Sequence, residues 1–414
     1  MTEPTRAAIR AFLDRASAGQ VAFLAELVRV PSDNPPGDCA PHAERAAVLL
    51  EGLGLEVERH PVPEALVRAN GMVSAANLIV RARFGDGPTI ALNAHGDVVP
   101  PGEGWSCDPY GAQVRDGWMY GRGVAVSKSD FATYAFALLA LRALDVPLAG
   151  TVELHLTYDE EAGGAIGPKW LLDQGLTRPD FALSAGFTYG IVTAHNGCLH
   201  LEVEVTGKSA HAARPETGHD ALEAATKLLG ALYEHRQGLG EIRSAIAGIT
   251  SPTLVIGLIR GGINTNVVPD TVTLRLDRRM IPEEASAEVE RRLTKLIELS
   301  LAGLPGIGCR MRRVMLAEAL RPVPGLERLV GPLQRNAEAV LGEPVPVYGV
   351  PLYTDARHYA AAGIPTVLYG AGPRTLTEAN AHAADERLPL ADLRRATEVV
   401  ALTLLDLLGG GQER

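Results

Sequence analysis

Apolar residues recur at helical spacing near the start of the chain: Ile9, Phe12 and Leu13, then Val21, Leu24 and Leu27. This predicts a helix over 7–30, stopped by the breaker cluster Pro31-Ser32-Asp33-Asn34-Pro35-Pro36-Gly37. Strands then alternate with helices. Thr89-Ile90-Ala91-Leu92-Asn93 reads as a short buried strand, Phe131–Leu144 as a helix and Thr151–Thr157 as an alternating strand. His95 follows the first of these strands and Glu160-Glu161 the second. Open α/β sheets build their sites just beyond strand ends, so the two placements support each other.

From about Cys198 the pattern changes. His200-Leu201-Glu202-Val203-Glu204-Val205 alternates strictly, as a half-solvated strand does. Asp220 can cap a helix with the apolar face Leu222, Ala225, Leu229 and Leu232. Strands are predicted at Thr253–Ile259 and Thr271–Leu276, a helix opening at Pro282-Glu283-Glu284, and a closing strand at Cys309–Met315. This βαββαβ order implies a small α+β domain inserted into a larger α/β domain. The α/β pattern resumes after about residue 317, with a strand at Pro365–Tyr369, the loop Gly370-Ala371-Gly372-Pro373 and a last helix from Leu390. The expected division is 1–196 and 317–414 for the larger domain and 197–316 for the insert.

The 414 residues are enough for two domains. A net charge of −10 with acids and bases interspersed argues against nucleic acid or anionic membrane as partner. No stretch has the apolar length of a membrane span. The polar start Met1-Thr2-Glu3-Pro4-Thr5-Arg6 reads as lacking a signal peptide. Cys39, Cys107, Cys198 and Cys309 are scattered without CxxC spacing, which reads as four free thiols in a reducing cytoplasm.

Several short motifs carry candidate chemistry. His95-Gly96-Asp97 offers an imidazole for a metal and a carboxylate to orient it; taken alone, such a tripeptide is more often a surface turn. Glu160 and Glu161 are adjacent, so one can bind metal while the other acts as general base; alone, the pair reads as a solvated acidic turn. His382 can supply a ligand from a distant segment, or be an exposed loop histidine. In the insert, His211 can stabilise an oxyanion if the insert closes over the site. Asn264, Asn266 and Arg279 lie on the same insert. Arg279 can hold a carboxylate in a bidentate pair or form a surface ion pair. Asp355 and Arg357 read equally as a buried ion pair or as substrate contacts.

Together and in order, these segments resemble the zinc metallopeptidase family of acetylornithine deacetylase, succinyl-diaminopimelate desuccinylase, aminoacylase and carboxypeptidase G. The resemblance starts at Val30-Pro31-Ser32 and runs through His95-Gly96-Asp97-Val98-Val99-Pro100 and Tyr120-Gly121-Arg122-Gly123. It continues through Glu160-Glu161-Ala162-Gly163-Gly164, Gly207-Lys208-Ser209-Ala210-His211 and Asn266-Val267-Val268-Pro269-Asp270, then Arg279, Thr354-Asp355-Ala356-Arg357, Gly370-Ala371-Gly372-Pro373 and His382. It implies a metallopeptidase-type catalytic domain, with a central mixed sheet flanked by helices, and an inserted lid and dimerisation domain. It also implies that His95 binds one metal, that Asp97 orients it, that Glu160 is the base, and that Glu161 and His382 bind a second metal. His211 would contact the substrate carbonyl, often across a dimer. Arg279 would recognise a carboxylate, with Asn266, Arg357 and Gly372 also expected against substrate.

Two positions depart from the family pattern. Val126 stands where a metal-bridging aspartate is expected, two residues before Lys128, and no acid lies between Asp116 and Asp130. Gly186 stands where an acidic ligand of the first metal is expected, and no Asp or Glu occurs from Phe181 through Leu201. Asp130, about one turn beyond Val126, could reach back as a substitute ligand or cap its helix. Alternatively His95, Glu161 and His382 could gather around one ion, since paired metals lie only about 3.5–4 Å apart. The expected cofactor is one Zn2+, Mn2+ or Co2+ per chain, or none if the lost carboxylates abolish binding. Three readings follow, in order: a one-metal hydrolase of an amide or related C–N bond in a small carboxylate-bearing substrate; a metal-independent isomerase or lyase using Glu160 for proton transfer; and an inactive binding homologue.

Overall fold

The computed structural model of the chain describes residues 2–409. The chain divides into two compact units, Met1–Thr193 with Pro322–Tyr348 and Thr354–Arg414, and Ala194–Arg321 with Gly349–Tyr353.

The first unit is α/β. Its sheet has eight strands, in the order Glu58–Pro61, Ala76–Arg83, Thr151–Thr157, Thr89–His95, Phe181–Ser184, Thr366–Leu368, Ile191–His195 and Val347–Val350. Thr89–His95 runs parallel to both of its neighbours, whereas Ala76–Arg83 is antiparallel to Thr151–Thr157. The central strands are buried without alternation, Ile90 to His95 and Val152 to Thr157, as parallel strands covered on both faces are. Helix Lys128–Arg142 is sequestered over most of its length. It packs against Glu3–Val28 and Leu390–Leu408, and the latter also packs on Glu327–Leu341. A short antiparallel sheet joins Arg387–Pro389, Trp118–Tyr120 and Gln113–Arg115.

One register positions the chemistry. In the parallel pairing, His95 lies opposite Thr157, and the Gly96 amide donates to the Thr157 carbonyl at 2.8 Å. The turns that follow these two strands therefore leave the sheet side by side.

The second unit is a four-stranded antiparallel sheet, ordered Thr253–Gly261, Thr271–Met280, Gly197–Thr206 and Gly308–Ala317, with helices Ala221–Leu239 and Ser286–Leu301. Leu199, Leu201, Val203 and Val205 alternate into its core with Leu228, Leu232, Leu293 and Ile297. Asp220 caps the first helix, accepting from the Leu222 and Glu223 amides. Two expectations need correction. Leu222 is exposed, and the buried face of its helix is instead Ala221, Ala224, Ala225, Leu228 and Leu232. The second helix begins at Ser286 rather than at Pro282. Glu283 accepts from Ser244 and Ala245, and Glu284 takes Arg278 and the Ile281 amide, so these acids hold a turn.

Candidate active site

Strand Thr89–His95 ends by burying His95, and Asp97 follows with no exposure at all. The Nδ1 atom of His95 lies 2.9 Å from the backbone carbonyl of Asp97, nearer than the 3.4 Å to its carboxylate. A proton on Nδ1 donates to that carbonyl and leaves the Nε2 lone pair free to bind a metal. The Asp97 carboxylate does something the sequence did not reveal. It accepts from the Glu160 amide at 3.3 Å, the Glu161 amide at 3.1 Å and the Asn34 side chain at 3.0 Å. Asp97 thus holds the turn that carries both glutamates. Asn34, a participant hidden in a breaker cluster, anchors it from the other side.

Nε2 of His95 is 4.0 Å from a Glu160 oxygen, and one donor atom each of His95, Glu160 and Glu161 lies within 4.8 Å of the other two. Nε2 of His382 is 3.3 Å from Oε1 of Glu161. That oxygen is buried and accepts no well-aligned hydrogen bond. His382 is half exposed and sits at φ 60°, in the left-handed region, which a non-glycine residue adopts at a cost of about 1 kcal/mol or more.

The electrostatics show an excess of acid in a dry place. Burial, reinforced by Glu161, Asp355 and Asp97 and opposed by His95, pushes the Glu160 carboxyl well above its usual range. Burial opposes a charge on His95, but Asp97, Glu160 and Glu161 outweigh it and raise the imidazole pKa well above normal. The Glu161 carboxylate beside it, against burial, likewise raises His382. Asp355 is raised to about 6 by burial, against the lowering effect of Arg357 and His95. Both Asp355 oxygens are buried without a hydrogen bond.

The opposite side of the site is built differently. Val126 supplies no donor. The amides of Ala125 and Val126 donate instead to Glu386, at 2.9 and 3.2 Å. Glu386 also pairs with the buried Arg122 at 2.6 Å. Ser127 exchanges hydrogen bonds with the backbone of His95. Asp130 does not cap its helix. Its carboxylate accepts from the Ala371 amide at 2.6 Å and the Gly186 amide at 3.3 Å. Gly186 has no space for a side chain, because a Cβ there would lie 2.6 Å from the Tyr369 nitrogen and 2.7 Å from the Leu368 carbonyl carbon. The Gly372 amide donates to the Gly186 carbonyl at 2.8 Å. Among the described residues, His95, Glu160 and Glu161 offer donors close enough to hold a metal ion, with His382 beside Glu161.

Arg357 is buried, with one nitrogen 2.6 Å from the Thr354 carbonyl and another on the Gly163 carbonyl. It braces the glycine turn after Glu161. Arg279 belongs to the second unit and pairs with Asp277, Nε to Oδ1 at 3.0 Å and Nη2 to Oδ2 at 3.1 Å. His211 and Asn266 are brought together on exposed loops of that unit. The Ala212 amide donates to the Asn266 carbonyl at 2.9 Å, and Nδ1 of His211 accepts from the Ala213 amide at 3.0 Å. Missing from the sequence reading were Asn34, Glu386 and Arg122. Only the pairing of a buried Arg with a distant Glu could have flagged the last two, and one sequence does not reveal that pairing.

The sequence profile of the peptidase family M20/M25/M40 matches residues 91–406. An acetylornithine deacetylase of Photorhabdus laumondii is 31% identical over 283 residues, covering 67% of this chain and 69% of that protein. A succinyl-diaminopimelate desuccinylase of Wolinella succinogenes is 28% identical over 409 residues, 94% of this chain and 99% of that protein. Among solved structures, the aminopeptidase PepT of Bacillus cereus superposes with a TM-score of 0.73 at 24% identity, covering 94% of this chain and 98% of that one.

Proposed function

The chain belongs to the peptidase family M20/M25/M40 and is thereby an amidohydrolase- or peptidase-like hydrolase, and from that membership we propose a one-metal hydrolase of an amide bond in a small carboxylate-bearing substrate such as an N-acyl amino acid. One observation carries this reading. Glu161 keeps a buried oxygen without a well-aligned hydrogen bond, 3.3 Å from His382, in a turn whose other carboxylate is 4.0 Å from the free nitrogen of His95.

When bound, a zinc, manganese or cobalt ion would acidify water and polarise a carbonyl. The protein's own part is proton traffic and positioning. Glu160 would take the proton of the attacking water and deliver it to the departing nitrogen, a shuttle helped by burial that holds its carboxyl above its usual range. Asp97 would keep both glutamates in place through their amides. His211 is proposed to donate to the developing oxyanion, Arg279 to pair with the substrate carboxylate, and Asn266 and Gly372 to line substrate. We also propose that the division 1–196, 197–316 and 317–414 is functional, with the insert serving as lid and dimerisation domain of a cytoplasmic homodimer. The edge strand Thr253–Gly261 supports that role, since it carries Val255 and Ile259, each 51% exposed, and edge strands invite pairing.

The test is elemental analysis of purified protein together with hydrolysis of a panel of N-acyl amino acids. About one metal per chain, lost in Glu161→Ala along with turnover, is the expected result. Turnover of another kind without metal would transfer the role of Glu160 to metal-independent proton transfer. Neither metal nor turnover would leave a binding homologue.

A further inference from the structure

A second group of metal-binding side chains lies wholly within the other unit. Cys198 and His200 are two residues apart on strand Gly197–Thr206, so they share one face. In the antiparallel register, Asp277 lies directly opposite His200, and Arg279 opposite Cys198. Directly opposed residues bring their Cβ atoms to about 5 Å, so a thiol, an imidazole and a carboxylate converge. Nε2 of His200 is 3.1 Å from Oδ2 of Asp277, and Sγ of Cys198 is 3.7 Å from Oδ1. One donor from each of the three lies within 4.8 Å of the other two.

We propose that Cys198, His200 and Asp277 form a binding site for one thiophilic divalent cation of the zinc class, sharing no ligand with the metal proposed above. Sulfur, nitrogen and oxygen donors bind zinc at about 2.0–2.3 Å, so around a common centre they sit within about 4 Å of one another. Calcium and magnesium favour all-oxygen shells, which a thiol and an imidazole do not suit. Cys198 is fully buried, whereas the side chains of His200 and Asp277 are 35% and 30% exposed. The sulfur forms the floor, and an ion enters between the other two, with water completing its coordination. Arg279 donates to both oxygens of Asp277. A carboxylate has about four lone-pair sites, so it can keep its arginine and still bind a metal. Such an outer partner fixes the ligand's orientation. On binding, the Cys198 thiol gives its proton to solvent, and thiolate and carboxylate together balance the ion.

Cobalt(II) titration of chelator-treated protein tests this. The proposed active-site ligands His95, Glu161 and His382 contain no sulfur, so a near-ultraviolet thiolate-to-cobalt charge-transfer band reports only a cysteine site. The band is expected to saturate at one equivalent per chain, to persist in Glu161→Ala and Cys309→Ser, and to vanish in Cys198→Ser. His200→Gln, at a partly exposed position that tolerates the change, is expected to raise the cobalt Kd tenfold or more, with circular dichroism confirming the fold. No band in the wild-type protein, a band that survives Cys198→Ser, or an unchanged Kd in folded His200→Gln would overturn the proposal.

Discussion

The two sides of the candidate active site have met different fates. On the side of Glu160, Glu161 and His382, donors stand ready: a buried oxygen without a well-aligned hydrogen bond, a free imidazole nitrogen and a base raised by burial. On the side of Val126 and Gly186, the backbone amides are already engaged and Gly186 is closed in by backbone. Glu386 consumes the amides of Ala125 and Val126, Asp130 those of Gly186 and Ala371, and Gly186 touches Leu368 and Tyr369 so closely that no side chain fits. Backbone atoms of Leu368 and Tyr369 fill the space that a side chain at Gly186 would take, so the chemistry proposed above rests on the first side.

The sharpest way to break this comparison is to remove the base. Glu160→Gln is nearly isosteric and is expected to lower kcat by about 10²–10⁴-fold, with metal content unchanged because Glu160 is not among the proposed ligands. Parallel kinetics and elemental analysis check both halves. A variant that loses the metal as well would make Glu160 a ligand and dissolve the division of labour between the two glutamates.

Next in size is an attempt to rebuild the closed side. Gly186→Asp restores the carboxylate that the family pattern expects, but its Cβ must displace backbone atoms at 2.6 and 2.7 Å. Overpacking against backbone costs about 3 kcal/mol, so chemical denaturation should show a large loss and elemental analysis no second metal. Val126→Asp alone should also leave the metal count unchanged, because its missing partner cannot be supplied at Gly186. A second metal in either single variant would mean that the closure is soft.

How far the sequence could foresee this division depends on the kind of residue. Strand Thr151–Thr157 and helix Leu390–Leu408 were legible because periodicity records burial, and burial is what orders them. His95, Glu160, Glu161 and His382 were legible because they stand in recognisable order along the chain. Their geometric meeting at 3.3 and 4.0 Å was not, since it depends on the His95–Thr157 register and on Asp97 grasping two amides. Substitution at Val126 and Gly186 was plain from the letters. That Asp130 would serve the amides of Gly186 and Ala371, rather than its own helix, was invisible: helical spacing says which face a residue occupies, not which distant backbone meets it.

Asp130 provides the subtlest test, because it belongs to the closed side and titrates. Burial raises its carboxyl to about 7, against the lowering pull of the Ala371 and Gly186 amides. An unfolded aspartate titrates near 3.9. Between about pH 4 and pH 7 the folded state therefore holds a proton that the unfolded state has released, so stability falls as pH rises through this window and levels off above it. At 1.36 kcal/mol per pH unit, the whole effect is bounded at about 4 kcal/mol. Asp130→Asn cannot ionise, and it retains one oxygen for the amides. Its stability relative to wild type should therefore improve steadily from pH 4 to pH 7 and then stay constant, whatever the offset from adding an NH2 group. Urea unfolding of both proteins across that range measures the difference. A difference that does not change with pH would mean that Asp130 is ionised throughout, and hence that the amides of the closed side stabilise its charge more strongly than burial penalises it.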